Sequence, residues 1–202
     1  MNHCGTREEW LTAALEWLMR HARQNGYDMP GNIRVSCGLP SKGAFAARKQ
    51  RIGECWAALA SEDSHAEIFI SPVIDEPAEV LAVLVHEAIH AIVGHKAGHR
   101  GVFKRCAAAL GLVGPMTATS AGPGLQERLE ILASELGRYP HARLNGMTNG
   151  RRKAGTRLLK AACPQCGYTI RVTAKWLAVG NPVCPCGREM VAELAVTRPR
   201  RP

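Results

Sequence analysis

Two histidines and a glutamate in the segment His86-Glu87-Ala88-Ile89-His90 have the spacing needed to hold a metal ion and to act on water beside it. On a helix, residues four apart lie one turn above each other, so both imidazoles can direct ring nitrogens to one ion. Glu87 is offset by about a quarter turn, within reach of water at the metal. This H-E-x-x-H pattern is typical of zinc peptidases, in which the glutamate is the general base. The alternative is a pair of structural histidines on a buried helix.

A catalytic zinc ion takes three protein ligands and keeps one position open, so a third ligand must lie elsewhere in the chain. Two histidines follow the motif, His95 and His99. On a continuing helix His95 would point away from His86, whereas a turn at Gly98 can bring His99 back. We therefore favour His99. A glutamate from the amphipathic segment 125–136 is the remaining alternative, although its acids fit a solvated face first: Glu127, Glu130 or Glu135.

The segments before the motif predict an α+β domain that can position it. A capping box at 6–9 opens a first helix, whose apolar residues recur at helical spacing as far as Gly26. Alternating segments at 32–37, 52–56 and 67–70 predict three short strands.

The apolar run 78–85 predicts a buried helix that begins near Pro77 and ends near Gly94, and this helix carries the two histidines. Cys37 and Cys55 lie on two of the predicted strands and could face each other across them. A role as small buried side chains is favoured for both over a metal or redox role.

This order of elements resembles the SprT-like metallopeptidase domain, whose relatives include bacterial SprT and the Spartan proteases of eukaryotes. The resemblance covers roughly residues 6–110, and it rests on the motif together with Gly98-His99-Arg100-Gly101-Val102-Phe103-Lys104. It implies a zincin-like minimal metallopeptidase domain over 1–140, built from a helix, a three-stranded sheet and the H-E-x-x-H helix. It also implies that His99 is the third zinc ligand and that Phe103 takes the aromatic position. Arg100 stands where the family usually has a second glycine.

Two closely spaced cysteine pairs near the C-terminus predict a second, structural zinc site. The pairs lie about twenty residues apart and bracket an alternating segment, as in a zinc ribbon, and the second is C-x-C rather than C-x-x-C. A short basic segment has too little core to fold without metal, and a redox dithiol is the less favoured alternative. SprT-like proteins often carry such a ribbon. The four predicted ligands are Cys163, Cys166, Cys184 and Cys186.

Positive charge is concentrated in the last third of the chain. From residue 141 onward there are twelve lysines and arginines against two glutamates, so the first 140 residues are close to neutral. We expect a basic linker at 141–157, the ribbon at 158–195 and a disordered basic tail at 196–202. Arg171 and Lys175, with Tyr168 and Trp176 nearby, favour contact with DNA. The alternative is a solvated basic face whose aromatic rings are buried under the cysteine turns.

The sequence also argues against several locations. The N-terminus lacks the basic start and apolar stretch of a signal peptide, and the longest apolar run is interrupted by Glu79 and by the motif itself. Of the eight cysteines, four lie at metal-ligand spacing and four are scattered, which does not suggest a disulfide framework. We therefore expect a cytoplasmic protein with no membrane partner, and the nucleoid as a location that suits DNA contact.

Together these patterns predict a zinc-dependent endopeptidase with one catalytic and one structural Zn²⁺. His86, His90 and His99 would hold the first ion, and Glu87 would be the general base. The resemblance implies a protein substrate associated with DNA or crosslinked to it. The alternative is a non-catalytic zinc-binding adaptor associated with DNA or transcription, in which the metal serves stability alone. The sequence predicts no oligomeric state.

Overall fold

The computed structural model describes residues 4–46, 48–145 and 158–192. The chain divides into two compact units, Met1–Thr148 and Asn149–Pro202. Most of the predicted linker, and all of the predicted tail, lie outside the described residues. In the part of the chain that is described, no helix is both long enough and apolar enough to cross a membrane.

The described part of the first unit contains four α-helices and five strands. The helices carry most of its core, and a three-stranded sheet packs against the helix that holds the motif. In chain order the elements are α1 (Arg7–Gln24), β1 (Ile33–Cys37), β2 (Gly53–Trp56), β3 (Ala66–Ile70), α2 (Pro77–Val93), α3 (Val102–Ala109), β4 (Leu112–Val113), β5 (Ser120–Ala121) and α4 (Pro123–Leu136).

Helix α1 begins at the predicted capping box. The Thr6 side chain accepts from the Glu9 amide, and the Glu9 carboxylate accepts from the Thr6 amide, so two amides at the helix start are satisfied. The buried face of the helix includes Trp10, Leu11 and Leu18, which are at most 1% exposed. These side chains place α1 against the core of the unit.

Arg7, in the first turn of α1, joins the start of this unit to its end. Its guanidinium is buried and donates from Nε to the Pro140 carbonyl and from Nη2 to the Ala142 carbonyl, both at 2.9 Å. The Trp10 indole donates to the Gly137 carbonyl at 3.1 Å. The segment after α4 is therefore held by donors from α1, which satisfy a buried charge at the same time.

The main sheet has the strand order β1-β3-β2, with β3 parallel to β1 and antiparallel to β2. Alternate residues of β3 are buried, as its sequence pattern predicts. Because β3 lies between the other two strands, Cys37 and Cys55 do not face each other, and that expectation is wrong. Cys55 is buried and Cys37 receives a contact from the Arg7 guanidinium.

Helix α2 has a clear start and a clear end. The Glu76 side chain accepts from the Glu79 amide, and Pro77 occupies the first turn, where a missing amide hydrogen costs nothing. Eight of its seventeen residues are buried, in agreement with the predicted core helix. Its C-terminal residue, Val93, is followed by Gly94 at φ 79°, a conformation that favours glycine.

The second unit is a small antiparallel sheet in which the central strand β6 (Leu158–Ala162) lies between β7 (Thr169–Thr173) and β8 (Val191–Ala192). Its core is formed by Ala161, Cys163, Cys184 and Met190, so two of the predicted ligands are also core residues. Its described elements are β6 (Leu158–Ala162), β7 (Thr169–Thr173), the short helix α5 (Ala174–Leu177) and β8 (Val191–Ala192). The two units together confirm the predicted α+β class.

Candidate metal centre

The three histidines favoured by the sequence meet at one point. The Nε2 atom of His99 lies 3.3 Å from Nε2 of His86 and 3.2 Å from Nε2 of His90. Among the described residues, these three side chains form one of two groups whose ligand atoms lie within 4.8 Å of one another. The structure therefore brings together residues separated by up to 13 positions in sequence.

These distances fit a tetrahedral metal ion. Nitrogens bound at 2.0–2.1 Å to a tetrahedral zinc are about 3.3 Å apart, which matches both separations from His99. A hydrogen-bonded histidine pair could explain one such contact, but His99 Nε2 has either one N–H or one lone pair and cannot form well-directed hydrogen bonds to both neighbours. The donor set therefore suits a three-histidine site with one position left open.

The turn after α2 delivers His99 to this point. Gly94 and Gly98, at φ 79° and φ 53°, flank a single 3₁₀ turn at His95–Ala97. Helix α3 then begins at Val102. A side chain with a Cβ would be strained at either glycine, so both residues are needed for the reversal. His95 lies within this turn, and its ring stacks on His90 with centroids 5.8 Å apart.

The glutamates proposed as alternative third ligands take no part in the site. Glu127, Glu130 and Glu135 lie on α4 with exposed side chains, and none belongs to the histidine group. They cover the solvated face of an amphipathic helix, as the sequence first suggested.

The ring of Phe103 packs against all three imidazoles. Its side chain is fully buried, and its ring centroid lies 5.2 Å from that of His86, 4.6 Å from that of His90 and 4.9 Å from that of His99. A rigid aromatic ring in contact with each imidazole limits their rotation. The resemblance assigned an aromatic position to Phe103, and the structure gives that position a packing role.

Thr119 fixes the ring orientation of His86. Its Oγ1 atom lies 2.8 Å from Nδ1 of His86, on the loop between β4 and β5. When Nδ1–H donates to this oxygen, Nε2 is left unprotonated and able to bind a metal. Nδ1 of His90, in contrast, is buried without a hydrogen-bond partner among the described residues.

Burial keeps the imidazoles neutral. Desolvation, reinforced by the neighbouring histidines, lowers the pKa of His86 to about 4 and that of His90 to about 3, and desolvation also lowers the pKa of His99. Neutral imidazole is the form that binds metals. At neutral pH the three imidazoles are therefore in the form that can bind a metal ion.

Glu87 lies beside the histidines in a poorly solvated position. Its side chain is only 8% exposed, and desolvation raises its pKa to about 7, against the lowering effects of Arg51 and the Cys55 amide. A carboxylate with a pKa near neutrality can both accept and return a proton. This is the property expected of a general base.

Strand β2 approaches Glu87 closely because residue 53 is glycine. A Cβ atom built on Gly53 would lie 2.6 Å from Glu87 Oε1 and 2.6 Å from Val83 Cγ1. Real Cβ atoms essentially never show such contacts, so no larger residue fits without displacing the carboxylate. Gly53 thus permits the packing that buries Glu87.

A cleft of about 870 Å³ opens over the site. Its walls come from α2, from the turn carrying His95 and His99, from the edge strand β2 and from the loop that ends at Thr119. Arg51 also lines the cleft, and its charge lowers the pKa of Glu87, of His90 and of His99. The cleft is large enough to hold a segment of polypeptide.

The second group of ligand atoms is formed by the four predicted cysteines. Cys163 Sγ lies 3.5 Å from Cys186 Sγ, and Cys166 Sγ lies 3.4 Å from Cys184 Sγ, so the cysteines are not paired as disulfides. Sulfurs bound at 2.3 Å to a tetrahedral zinc are about 3.8 Å apart, close to these values. Hydrogen bonds from backbone amides, that of Cys166 first, lower the pKa of Cys163 to about 6, which favours the thiolate.

The aromatic residues of the second unit are exposed. Tyr168 is 51% exposed and Trp176 is 59% exposed, so the alternative in which they are buried under the cysteine turns is wrong. The Lys175 ammonium lies over the Trp176 ring, 5.2 Å from its centroid.

Comparisons of the chain with protein-family models, with curated proteins and with solved structures found no match.

Sequence reasoning missed three residues that complete the site. Thr119, Gly53 and Arg51 lie far from the motif in sequence and reach it only through the fold. The basic stretch containing Arg51 and the Gly-Glu-Cys-Trp strand were visible signals. The Met-Thr-Ala-Thr segment that ends at Thr119 carried none.

Proposed function

We propose that this chain is a zinc-dependent endopeptidase of the SprT-like type, with a zincin-like catalytic domain. The observation that carries the proposal is the convergence of three neutral imidazoles at zinc-ligand spacing beside a buried glutamate. A purely structural ion needs no adjacent base and is usually enclosed by four protein ligands. Here three ligands face an open cleft.

In this proposal the side chains of His86, His90 and His99 hold the catalytic zinc. Bound there, zinc would supply Lewis-acid chemistry, activating water near pH 7 and polarising a carbonyl. Thr119 and Phe103 keep the imidazoles in place. Glu87 accepts a proton from the attacking water and later delivers it to the amine that leaves.

The proposed substrates are proteins associated with DNA or crosslinked to it. Support comes from the second unit, where Tyr168 and Trp176 are exposed and the Lys175 ammonium lies over the Trp176 ring. Aromatic rings can stack on bases while cations neutralise phosphates. In this proposal the four cysteines hold a structural zinc, and the ribbon brings the catalytic unit to its substrate.

Replacement of Glu87 by Gln tests the proposal directly. Purified wild-type protein is expected to cleave casein or itself, with stimulation by single-stranded DNA, and the Glu87→Gln variant should be at least about 100-fold slower. Metal analysis should find the same zinc content in both. Absence of cleavage by the wild type, with two zinc ions bound, would instead support the non-catalytic adaptor.

A further inference from the structure

One cation of the cleft, the guanidinium of Arg51, is paired with the carboxylate of Glu54. Arg51 Nη1 donates to Glu54 Oε1 at 2.6 Å, and the two side chains are 49% and 11% exposed. Both residues line the cleft that contains the histidines and Glu87. The charge-assisted hydrogen bond to a nearly buried glutamate orients the guanidinium, although half of the arginine side chain remains in contact with water.

Glu54 is itself fixed by three further donors. The Ser41 amide and hydroxyl donate to its two carboxylate oxygens, each at 2.7 Å, and the Trp56 indole donates to Oε2 at 3.2 Å. These hydrogen bonds lower the pKa of Glu54 despite its burial, so it stays ionised. An ionised and immobile carboxylate sets the orientation of the guanidinium.

Arg51 retains unused donors. Within the described part of the chain, only Nη1 makes a hydrogen bond, which leaves Nε and Nη2 without protein acceptors. The guanidinium lies on the same cleft as the three ligand nitrogens and Glu87. A fixed cation with free donors at such a place is suited to an oxygen that gains negative charge during reaction.

We propose that Arg51 is a catalytic residue that stabilises the negative charge developing on the carbonyl oxygen of the scissile peptide, and that Glu54 is its positioning residue. The inference rests on the peptidase function proposed above. As the water oxygen bonds to the carbonyl carbon, the π pair moves onto the carbonyl oxygen and one water proton goes to Glu87. The pair on the carbonyl oxygen then re-forms the C=O bond as the C–N bond breaks, and the C–N electron pair goes to nitrogen, which takes the proton from Glu87. The products are a carboxylic acid and an amine, which then ionise.

Kinetics on casein separate this role from simple substrate binding. Arg51→Met should lower kcat by about 100-fold or more while changing KM by less than about 3-fold, because the interaction forms only as charge develops. Glu54→Gln should produce a smaller loss of kcat in the same direction. Lys42→Met removes one exposed cation from the same loop and should leave both constants unchanged. A rise in KM with kcat intact would overturn the proposal, since Arg51 would then bind a ground-state group.

A binding measurement gives a readout that does not depend on turnover. The protein is prepared with Co²⁺ at the histidine site and zinc at the cysteine site, checked by metal analysis, and titrated with inorganic phosphate while the cobalt absorption is followed. We expect Arg51→Met to weaken phosphate at least about 10-fold, with Lys42→Met matching the wild type. Equal phosphate affinity in wild type and Arg51→Met would contradict the proposed role of Arg51, whatever the proteolysis assay shows. If the wild type cleaves nothing but phosphate binding depends on Arg51, the peptidase proposal and this catalytic role both fail, and an anion site remains.

Discussion

The Nδ1 atom of His86 lies 2.8 Å from the hydroxyl oxygen of Thr119, which is 33 residues away in sequence. When His86 Nδ1–H donates in this contact, Nε2 is free to bind a metal. Partners of this kind typically contribute 10–100-fold to metal affinity.

We expect Thr119→Val, which keeps the shape and removes the acceptor, to weaken zinc binding at the histidine site by about 10-fold or more. Thr119→Ser keeps the hydroxyl and serves as the matched control. Competition with a chelator of known affinity measures the change. Unaltered zinc affinity in Thr119→Val would show that the hydrogen bond does not orient the ring.

Gly53→Ala should destabilise the first unit. Its Cβ would lie 2.6 Å from Glu87 and from Val83, so we expect a loss of about 1–3 kcal/mol in the free energy of unfolding. Gly31→Ala is a suitable control because nothing lies within 4 Å of its Cβ position, and it should change stability by less than about 0.5 kcal/mol. Urea denaturation compares the two. Equal stabilities would mean that β2 can shift away from Glu87 at little cost.

Acidification should destabilise the metal-free first unit through its histidines. Their pKa values are lowered in the folded state, to about 4 for His86 and about 3 for His90, from 6.5 in the unfolded chain. Below pH 6.5 the unfolded chain therefore binds more protons at these sites, and stability falls as the pH drops towards 4.

Protonation of Glu87 has the opposite effect on folding stability over an overlapping pH range. Its pKa is raised from 4.5 to about 7, so the folded state binds the extra proton between these values, and this contribution to stability grows as the pH falls. Glu87→Gln removes that offset. The variant without metal should lose stability more steeply than the wild type between pH 7 and 4.5, by up to about 1.4 kcal/mol per pH unit. Parallel curves in urea titrations across this range would contradict the raised pKa.

The cysteine group should account for one zinc ion independently of the histidine group. We expect about two zinc ions per chain in the wild type and one in a Cys163→Ser/Cys166→Ser variant. Because the small core of the second unit includes Cys163, loss of this ion should also unfold that unit. His99→Ala should weaken the other ion and leave the cysteine site loaded. Loss of both ions from either variant would argue against two separate sites.

Replacement of Trp176 by Ala should weaken single-stranded DNA binding by about 1–3 kcal/mol if the ring stacks on a base. Lys175→Met should weaken binding more evenly across sequences and reduce its dependence on salt. Val179→Ala is the control, since it is 78% exposed and apolar on the same unit. Fluorescence anisotropy of a labelled oligonucleotide at two salt concentrations distinguishes these effects. If neither Trp176→Ala nor Lys175→Met changes the affinity for DNA, these two residues are not part of the DNA interface.

The local parts of the site were predictable because they follow from helix geometry. Residues four apart on α2 share a face whatever surrounds them, and the glycines after Val93 signalled the turn that returns His99. Strands β1, β2 and β3 were also predicted to within one residue at each end, whereas the two-residue strands β4 and β5 were not predicted. These features depend on neighbours in sequence.

Features that depend on strand order and long-range packing were not predictable. Alternation identifies β1, β2 and β3 but does not reveal that β3 lies between the others, so it left open a contact between Cys37 and Cys55 that the strand order excludes. For the same reason nothing in the sequence linked Thr119 to His86, or the Arg51 and Glu54 pair to the cleft. The exposure of Trp176 likewise depends on how little core the second unit has to cover it.

The hydrogen bonds of Arg7 limit how far the first unit can be shortened at its C-terminal end. Its guanidinium, only 7% exposed, has its carbonyl acceptors at Pro140 and Ala142, beyond the last helix of the unit. A truncated protein that stopped at the end of α4 would keep the three histidines yet lose two hydrogen-bond acceptors of this guanidinium and the Tyr139 ring that packs on it. An expression fragment intended for crystallisation should therefore extend at least to residue 142.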